Sequence, residues 1–260
     1  MNDIINQPTA TMPEDLSPAA SRVQRVRHEL RMRTLEVRRT AQVSPQVRAV
    51  TLGGDALQGF HSPGFDDHIK LFLPAGGAGA ARRDYTPRRY DPVANELTLE
   101  FALHGDGPAA AWAARAQAGD RLDIGGPRGS FLVPADYAWH LLAGDVTALP
   151  AIARRLEELP AGSHAFAFIA LDAADRRALA TQARLQLHWL DDDAALIDAV
   201  RAFALPAGEG YAWCAGEAGT MAALRRLLVQ DKGHSRHALR AAAYWKRGAV
   251  AHHENLDDAA

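Results

Sequence analysis

Arg83-Asp84-Tyr85-Thr86-Pro87-Arg88 brings three kinds of binding chemistry together in six residues. A guanidinium grips a phosphate through two parallel hydrogen bonds, an aromatic ring covers a flat heterocycle, and a threonine hydroxyl donates or accepts. Arg83, Tyr85 and Thr86 are therefore candidates for holding a ligand that is both anionic and planar, although such a string alone reads most simply as an exposed strand. Further along, His104-Gly105-Asp106-Gly107-Pro108-Ala109-Ala110-Ala111-Trp112 sets a glycine turn against a helix that starts at proline. The unpaired N–H groups and partial positive charge of that helix start suit a diphosphate. The candidates there are His104, Gly107, Pro108, Ala109 and Ala110. A second glycine turn, Gly125-Gly126-Pro127-Arg128-Gly129-Ser130-Phe131, would let backbone come close to a ligand at Gly129 and Ser130. A tight connection between strands would need the same glycines.

In the second half, Gly144 to Pro150 joins an apolar run to a helical stretch, with Thr147 as the expected cap and Pro150 in the first turn. Dinucleotides bind at such carboxyl ends of strands, but the Gly-x-Gly-x-x-Gly fingerprint is absent. Asp172, expected at the end of the next strand, could bond ribose hydroxyls, while Arg176 and Arg177 could meet a 2′-phosphate. A third reading has Asp172 merely capping the following helix. NADH and NADPH are equally compatible with these residues.

The elements that must position these residues change character near Pro134 to Tyr137. Before that point, His68 to Leu73 and Glu96 to His104 alternate apolar and polar residues, Val47 to Leu52 and Arg121 to Ile124 add weaker strand signals, and turns fall at Gly53-Gly54, Pro63-Gly64 and Gly76-Gly77. Closely spaced strands of this kind predict an antiparallel barrel, interrupted by one helix from Pro108 toward Gly119. Beyond it, apolar runs at Trp139–Ala143, Ala165–Leu171, Leu185–Leu190 and Tyr211–Ala215 alternate with helical stretches at Ala148–Glu158, Ala194–Phe203 and Gly219–Gln230. That order predicts βαβ units and a parallel sheet. The expected division is a disordered tail at 1–21, a barrel domain at 22–134, an α/β domain at 135–248 and a C-terminal tail at 249–260.

Composition narrows the functions this architecture can serve. With 260 residues and 48% hydrophobic content the chain can build a real core, and a net charge of -2 removes the broad basic field of a non-specific nucleic-acid binder. The single cysteine, Cys214, rules out an intramolecular disulfide and multi-cysteine metal sites, which fits a reducing compartment and hence the cytoplasm. No stretch near the start has the apolar run of a signal peptide or membrane anchor. No metal site is expected: His252-His253-Glu254 reads as a solvated tail. Seven arginines between Arg22 and Arg39, interleaved with Val23, Val26 and Leu30 at helical spacing, read as a solvated face. Cys214 reads as a packed thiol rather than a nucleophile.

The order of these segments resembles the siderophore-interacting protein family, within the ferredoxin-reductase superfamily. The resemblance rests on Arg83-Asp84-Tyr85-Thr86, on His104 to Trp112, on Gly125 to Phe131, on Ala143-Gly144-Asp145-Val146-Thr147-Ala148-Leu149-Pro150-Ala151-Ile152, and on Tyr211 to Gly219 with Tyr244-Trp245-Lys246-Arg247-Gly248. It spans roughly 33–248. It implies a six-stranded-type flavin-binding β-barrel followed by an NAD(P)H-binding α/β domain, with Arg83 on the FAD phosphates, Tyr85 against the flavin and Thr86 on a ring nitrogen. It adds Asp145, Thr147, Ala148, Gly216, Glu217 and Trp245 to the cofactor-binding candidates. Basic residues around the flavin edge would receive an anionic ferric siderophore, and the matching positions are Lys70, Arg128 and Lys246, with Arg247 beside them. The chain departs from the family pattern at Ala110, commonly serine, at Val146, frequently acidic, and at Ala243, frequently glycine. The implied activity is hydride transfer from NADPH or NADH to FAD and single-electron transfer to the ferric siderophore, by a monomer, with a ferredoxin as an alternative donor. Two other functions fit the same residues: a flavin oxidoreductase with another acceptor, and a siderophore carrier without redox chemistry.

Overall fold

The computed structural model describes residues 22–73, 81–103, 107–249 and 254–256. The first half holds nine strands and one helix: β1 (Gln24–Arg27), β2 (Met32–Ser44), β3 (Val47–Gly53), β4 (Ile69–Leu73), β5 (Ala81–Tyr85), β6 (Arg89–Asp91), β7 (Glu96–Ala102), α1 (Pro108–Arg115), β8 (Arg121–Gly125) and β9 (Gly129–Leu132). Seven of the strands form an antiparallel sheet in the order β5-β4-β8-β2-β3-β7-β6, and β1 pairs separately with β9. The two edge strands, β5 and β6, are separated in sequence only by Thr86–Arg88, so the sheet must curl until its edges nearly meet. The result is the expected barrel, with seven strands in place of six and a gap at the Thr86 end. Alternation drives it: Ile69, Leu71 and Leu73 of β4 and Leu97, Leu99 and Phe101 of β7 are buried inside, and α1 presses Ala109, Trp112 and Ala113 into the same core.

The basic stretch after Arg22 is two strands rather than a helical face. Burial falls on every second residue, at Arg33, Leu35 and Val37, which is the strand period. Of the arginines outside this stripe, Arg39 bonds Glu96 at 2.6 and 2.7 Å, and Arg38 bonds Glu36 at 2.8 Å.

The second half contains β10 (Trp139–Gly144), α2 (Leu149–Glu158), β11 (His164–Ala170), β12 (Arg184–Leu190), α3 (Asp193–Ala202), β13 (Gly210–Glu217), α4 (Ala218–Arg226), β14 (Leu239–Trp245) and β15 (Glu254–Asn255). Five strands run parallel in the order β12-β11-β10-β13-β14, and β15, within the 249–260 segment, adds an antiparallel edge. Helix α2 covers one face with Leu149, Ile152 and Leu156, and α3 and α4 cover the other with Leu196, Val200, Met221 and Leu224. Strands buried on both faces lose the polar alternation, which is why β13 reads as an unbroken buried run. Cys214 lies within it, fully buried, and burial pushes its thiol up to about 12, as befits a packed thiol.

The halves are tied by polar contacts as well as by packing. Phe65 leaves the barrel sequence to join the second core with Val133 and Tyr137. Its neighbour Asp66 pairs with Arg240 of β14 at 2.7 Å and accepts the Trp213 indole N–H at 3.1 Å. Arg88 bonds Glu157 of α2, Arg154 donates to the carbonyls of Ser62 and Pro87, and Arg177 bonds Glu100 of β7.

Candidate functional site

The strand order places β10 first, with β11 and β12 on one side and β13 and β14 on the other. The sheet therefore reverses direction at β10–β13, and the crevice beyond the carboxyl ends of those strands is where α/β sheets bind ligands. Asp145 closes the bottom of that crevice. One carboxylate oxygen accepts the amide and hydroxyl of Thr147 at 2.8 and 2.5 Å; the other accepts the Glu217 amide at 3.1 Å and the Trp245 indole N–H at 2.7 Å. Thr147 is thus held by Asp145 rather than capping α2, whose first residue follows Ala148 without any side-chain cap. The tight turn needs glycine on both sides: a Cβ on Gly144 would lie 2.3 Å from the Ala215 carbonyl oxygen, and one on Gly216, at φ 150°, would lie 2.6 Å from the Asp145 carboxylate. Burial raises the pKa of Asp145 despite its hydrogen bonds.

Glu217 caps α4 through the amides of Gly219 and Thr220, and its other oxygen accepts the Arg247 amide at 3.2 Å. Burial pushes its pKa up, but the Arg247, Thr220 and Gly219 amides outweigh this and it titrates below the ordinary range. Asp145, Thr147, Gly216, Glu217 and Trp245 are therefore brought together, and Ala148 is buried behind them. A cleft of about 700 Å³ opens on this cluster, bounded by Asp172, by Asp191 to Asp193 and, from the barrel half, by Gln46 and Leu103. Asp172 caps a short turn by accepting the Ala174 amide at 2.8 Å. Arg176 is paired with Asp191, and Arg177 points away to Glu100.

On the barrel side, Tyr85 ends β5 with its ring 4.5 Å from that of Phe101, half-buried against the core. Thr86 is buried and joined by a side-chain hydrogen bond to Tyr244 of β14. The Arg83 guanidinium donates to the Arg82 carbonyl at 2.8 Å and meets no carboxylate among the described residues, which leaves it open to an anion. Helix α1 starts at Pro108 with no side-chain cap, and the space where Gly107 would carry a Cβ is empty to 4 Å. First-turn amides such as those of Ala109 and Ala110 are left without partners by the helix's own i to i−4 bonding, and both residues are buried. An uncommitted guanidinium, a half-buried phenol ring and an uncapped helix start fit the phosphates and flat ring of FAD. His104 lies outside the described residues.

The Gly125–Phe131 turn contains a cis Gly126-Pro127 bond. A Cβ on Gly129 would lie 2.5 Å from the Val26 carbonyl oxygen, so the close approach permitted there is to β1. Ser130 is likewise committed within the chain: its hydroxyl donates to Asp67 at 2.8 Å and meets His28 Nε2 at 2.8 Å. Asp67 also accepts the Ser62 hydroxyl and the Gly64 amide, yet burial still drives its pKa up to about 6. Lys70 stands opposite Gly125 across the β4–β8 pairing but is bonded to Asp84 at 2.6 Å. Arg128 and Lys246 are exposed without a side-chain partner among the described residues, and Arg247 reaches Asp193 at 3.5 Å.

Residues 36–82 and 76–131 match the siderophore-interacting FAD-binding domain, and residues 137–248 match the siderophore-interacting protein model. The chain belongs to the siderophore-interacting protein family. It is 38% identical over 245 residues to the NADPH-dependent ferric-chelate reductase of Escherichia coli, covering 85% of this chain and 96% of that protein. It is 33% identical to the ferric vibriobactin reductase ViuB of Vibrio cholerae, covering 85% and 93%. A siderophore utilization protein from T. fusca superposes with a TM-score of 0.83 at 33% identity, covering 88% of this chain and 98% of that one. Tyr244, Asp66, Asp67 and Asp191 are contacts that sequence reading left without a role. Only Tyr244 carried a signal, its place in the Tyr244-Trp245 pair.

Proposed function

We infer that this chain is an FAD-dependent ferric-siderophore reductase driven by NADPH or NADH. The observation that carries the reading is the Thr86–Tyr244 hydrogen bond, because it sets the Arg83–Thr86 segment of the barrel beside the strand that ends at the nucleotide crevice. In this reading residues 22–134 serve FAD and residues 135–248 serve the nicotinamide donor. Arg83 and the Ala109 and Ala110 amides, beyond Gly107 and Pro108, hold phosphate; Tyr85 covers the ring and Thr86 orients it. Asp145, Thr147, Ala148, Asp172, Gly216, Glu217 and Trp245 form the donor's crevice. Bound FAD supplies the conversion from hydride to single-electron chemistry that the protein's own side chains cannot perform. Gly129 and Ser130 act by bracing the Arg128 turn.

Arg128, Lys246, Arg247 and, once released from Asp84, Lys70 attract an anionic ferric complex. Iron arrives in its own chelator, and Fe(II) is held less tightly by hard oxygen ligands, so reduction frees it. Among the described residues no helix is long and apolar enough to cross a membrane, and no group of three or more His, Cys, Asp or Glu residues could hold a metal ion. The single buried cysteine suits the cytoplasm, a ferredoxin is the alternative electron source, and the large exposed hydrophobics among the described residues, Leu30, Met32 and Val93, are few enough for a monomer.

The test is flavin retention. The protein should purify with one FAD, and Arg83→Ala should weaken its binding by about 1.5–3 kcal/mol, roughly ten- to a hundredfold, if the phosphate bonds are charge-assisted. A protein that neither carries nor takes up FAD refutes the reading, and an Arg83→Ala variant with unchanged affinity moves the phosphate contact elsewhere.

A further inference from the structure

We propose that the nucleotide crevice selects NADH and rejects NADPH, with Asp172 and the Arg176–Asp191 pair setting the choice; this rests on the nicotinamide reading above. Among the described residues, thirteen line the cleft; six of them are aspartates, and none is Lys, Arg or His. Two of the six have a cation beside them, Asp191 with Arg176 and Asp193 with Arg247 at 3.5 Å. Among the described residues, Asp175 and Asp192 accept only backbone amides, from Gln46 and Ala195, and Asp145 accepts only uncharged donors. The cleft therefore carries an excess of negative charge where the adenosine end of the donor must lie.

Asp172 stands at the carboxyl end of β11, next to β10 in the sheet. One of its oxygens takes the Ala174 amide, and the second has no partner among the described residues. That oxygen is an acceptor, suited to a ribose hydroxyl and repelled by a phosphate in its place. The two cations that could reverse this preference are spoken for. Arg177 is held by Glu100, a mostly buried carboxylate of the barrel half. Arg176 is fixed at the rim by its Nε bond to the Leu171 carbonyl at 3.2 Å and faces Asp191. A 2′-phosphate would have to displace Asp191 and would still face Asp172 and Asp192.

The Escherichia coli relative is named for NADPH, so the inference separates this chain from it at 38% identity. Binding to the oxidised holoprotein is measured by calorimetry for NAD+ and NADP+, alongside anaerobic flavin bleaching by NADH and NADPH. NAD+ should bind at least about tenfold more tightly, because each uncompensated charge near a dianion disfavours it. Salt should narrow the gap by strengthening NADP+ relative to NAD+, the opposite of what an arginine-built phosphate site shows. Asp191→Asn, at a side chain 85% exposed, frees Arg176; it should improve NADP+ binding about fivefold or more relative to NAD+. Asp172→Asn, whose carbonyl can still accept the Ala174 amide, should weaken NAD+ and not NADP+. Equal or tighter NADP+ binding by the wild type, or an NADP+ affinity that falls with salt, overturns the preference. If neither nucleotide binds or bleaches the flavin while reduced ferredoxin does, the nicotinamide reading itself fails and the preference falls with it.

Discussion

Asp67 ties the stability of this protein to pH in a direction opposite to that of most carboxylates. Three donors converge on one of its oxygens, while the other is buried with no partner among the described residues. Burial wins, and the pKa rises from 3.8 to about 6. A carboxyl whose folded pKa exceeds its unfolded value binds its proton more tightly in the native state, so ionisation costs stability above pH 6 and the cost disappears as pH falls toward 4. For a single group with these two pKa values the penalty is about 3 kcal/mol at pH 7.5 and about 1.6 kcal/mol at pH 5. Asp67→Asn removes the titration. Its amide group brings its own costs in the buried pocket, but these do not change with pH. They cancel when the variant's stability relative to wild type at pH 7.5 is compared with that at pH 5. Urea unfolding of both proteins at the two pH values should show the variant gaining about 1–1.5 kcal/mol on wild type at the higher pH. Histidine titrations are common to both proteins and also cancel, apart from His28, which Ser130 couples to Asp67. A difference within about 0.3 kcal/mol would mean that Asp67 is ordinarily ionised and that the unpartnered oxygen is reached by water.

Cys214 should resist thiol reagents at pH 8 in the native protein and react fully in urea; rapid native labelling would contradict its burial. Gly144→Ala should destabilise the fold by about 2–3 kcal/mol or more and weaken nucleotide binding, since the new methyl meets backbone oxygen rather than a flexible side chain; chemical denaturation with a nucleotide titration checks both. Alanine at Arg128 or Lys246 should slow flavin reoxidation by a ferric catecholate, through weaker binding of about 1 kcal/mol each, and leave reduction by NAD(P)H unchanged. Lys70→Ala should do less, because Asp84 already neutralises that charge. Stopped-flow traces of the two half-reactions separate these effects, and salt-insensitive reoxidation in every variant would reduce the cluster to an ordinary surface.

Much of the architecture was legible because the two halves bury their strands differently. One-sided burial left alternation in β4 and β7, and two-sided burial left continuous runs in β10, β11 and β13. The strands that escaped were those with neither pattern. In β2 the arginines obscure a two-residue period because one of them, Arg33, is itself buried. β5 is mostly polar, and β14 carries an alanine run that local propensity assigns to a helix. Its alanines are buried in the sheet, between the cores on its two faces. At the site, Asp145, Gly216 and Trp245 lay in separate motifs, and only the folded chain shows one carboxylate holding the loops after β10 and β13 and the end of β14. The Asp172 cap was foreseen as one of three readings, whereas the Thr147 cap failed because the Thr147 hydroxyl donates to Asp145, two residues earlier, and α2 starts one residue later, after Ala148.

The placement of Phe65 and Asp66 has a consequence for anyone who would recombine this chain with its relatives. Cutting at the sequence boundary near Pro134 would strip the second half of an aromatic ring from its core and leave Arg240 facing an emptied pocket. It would also leave Asp66 as a bare carboxylate on the first. The seam that nature follows runs through space, with Phe65 and Asp66 on the far side of it. A working chimera must therefore carry that short segment together with the sheet it serves, as an inserted graft rather than a joined end.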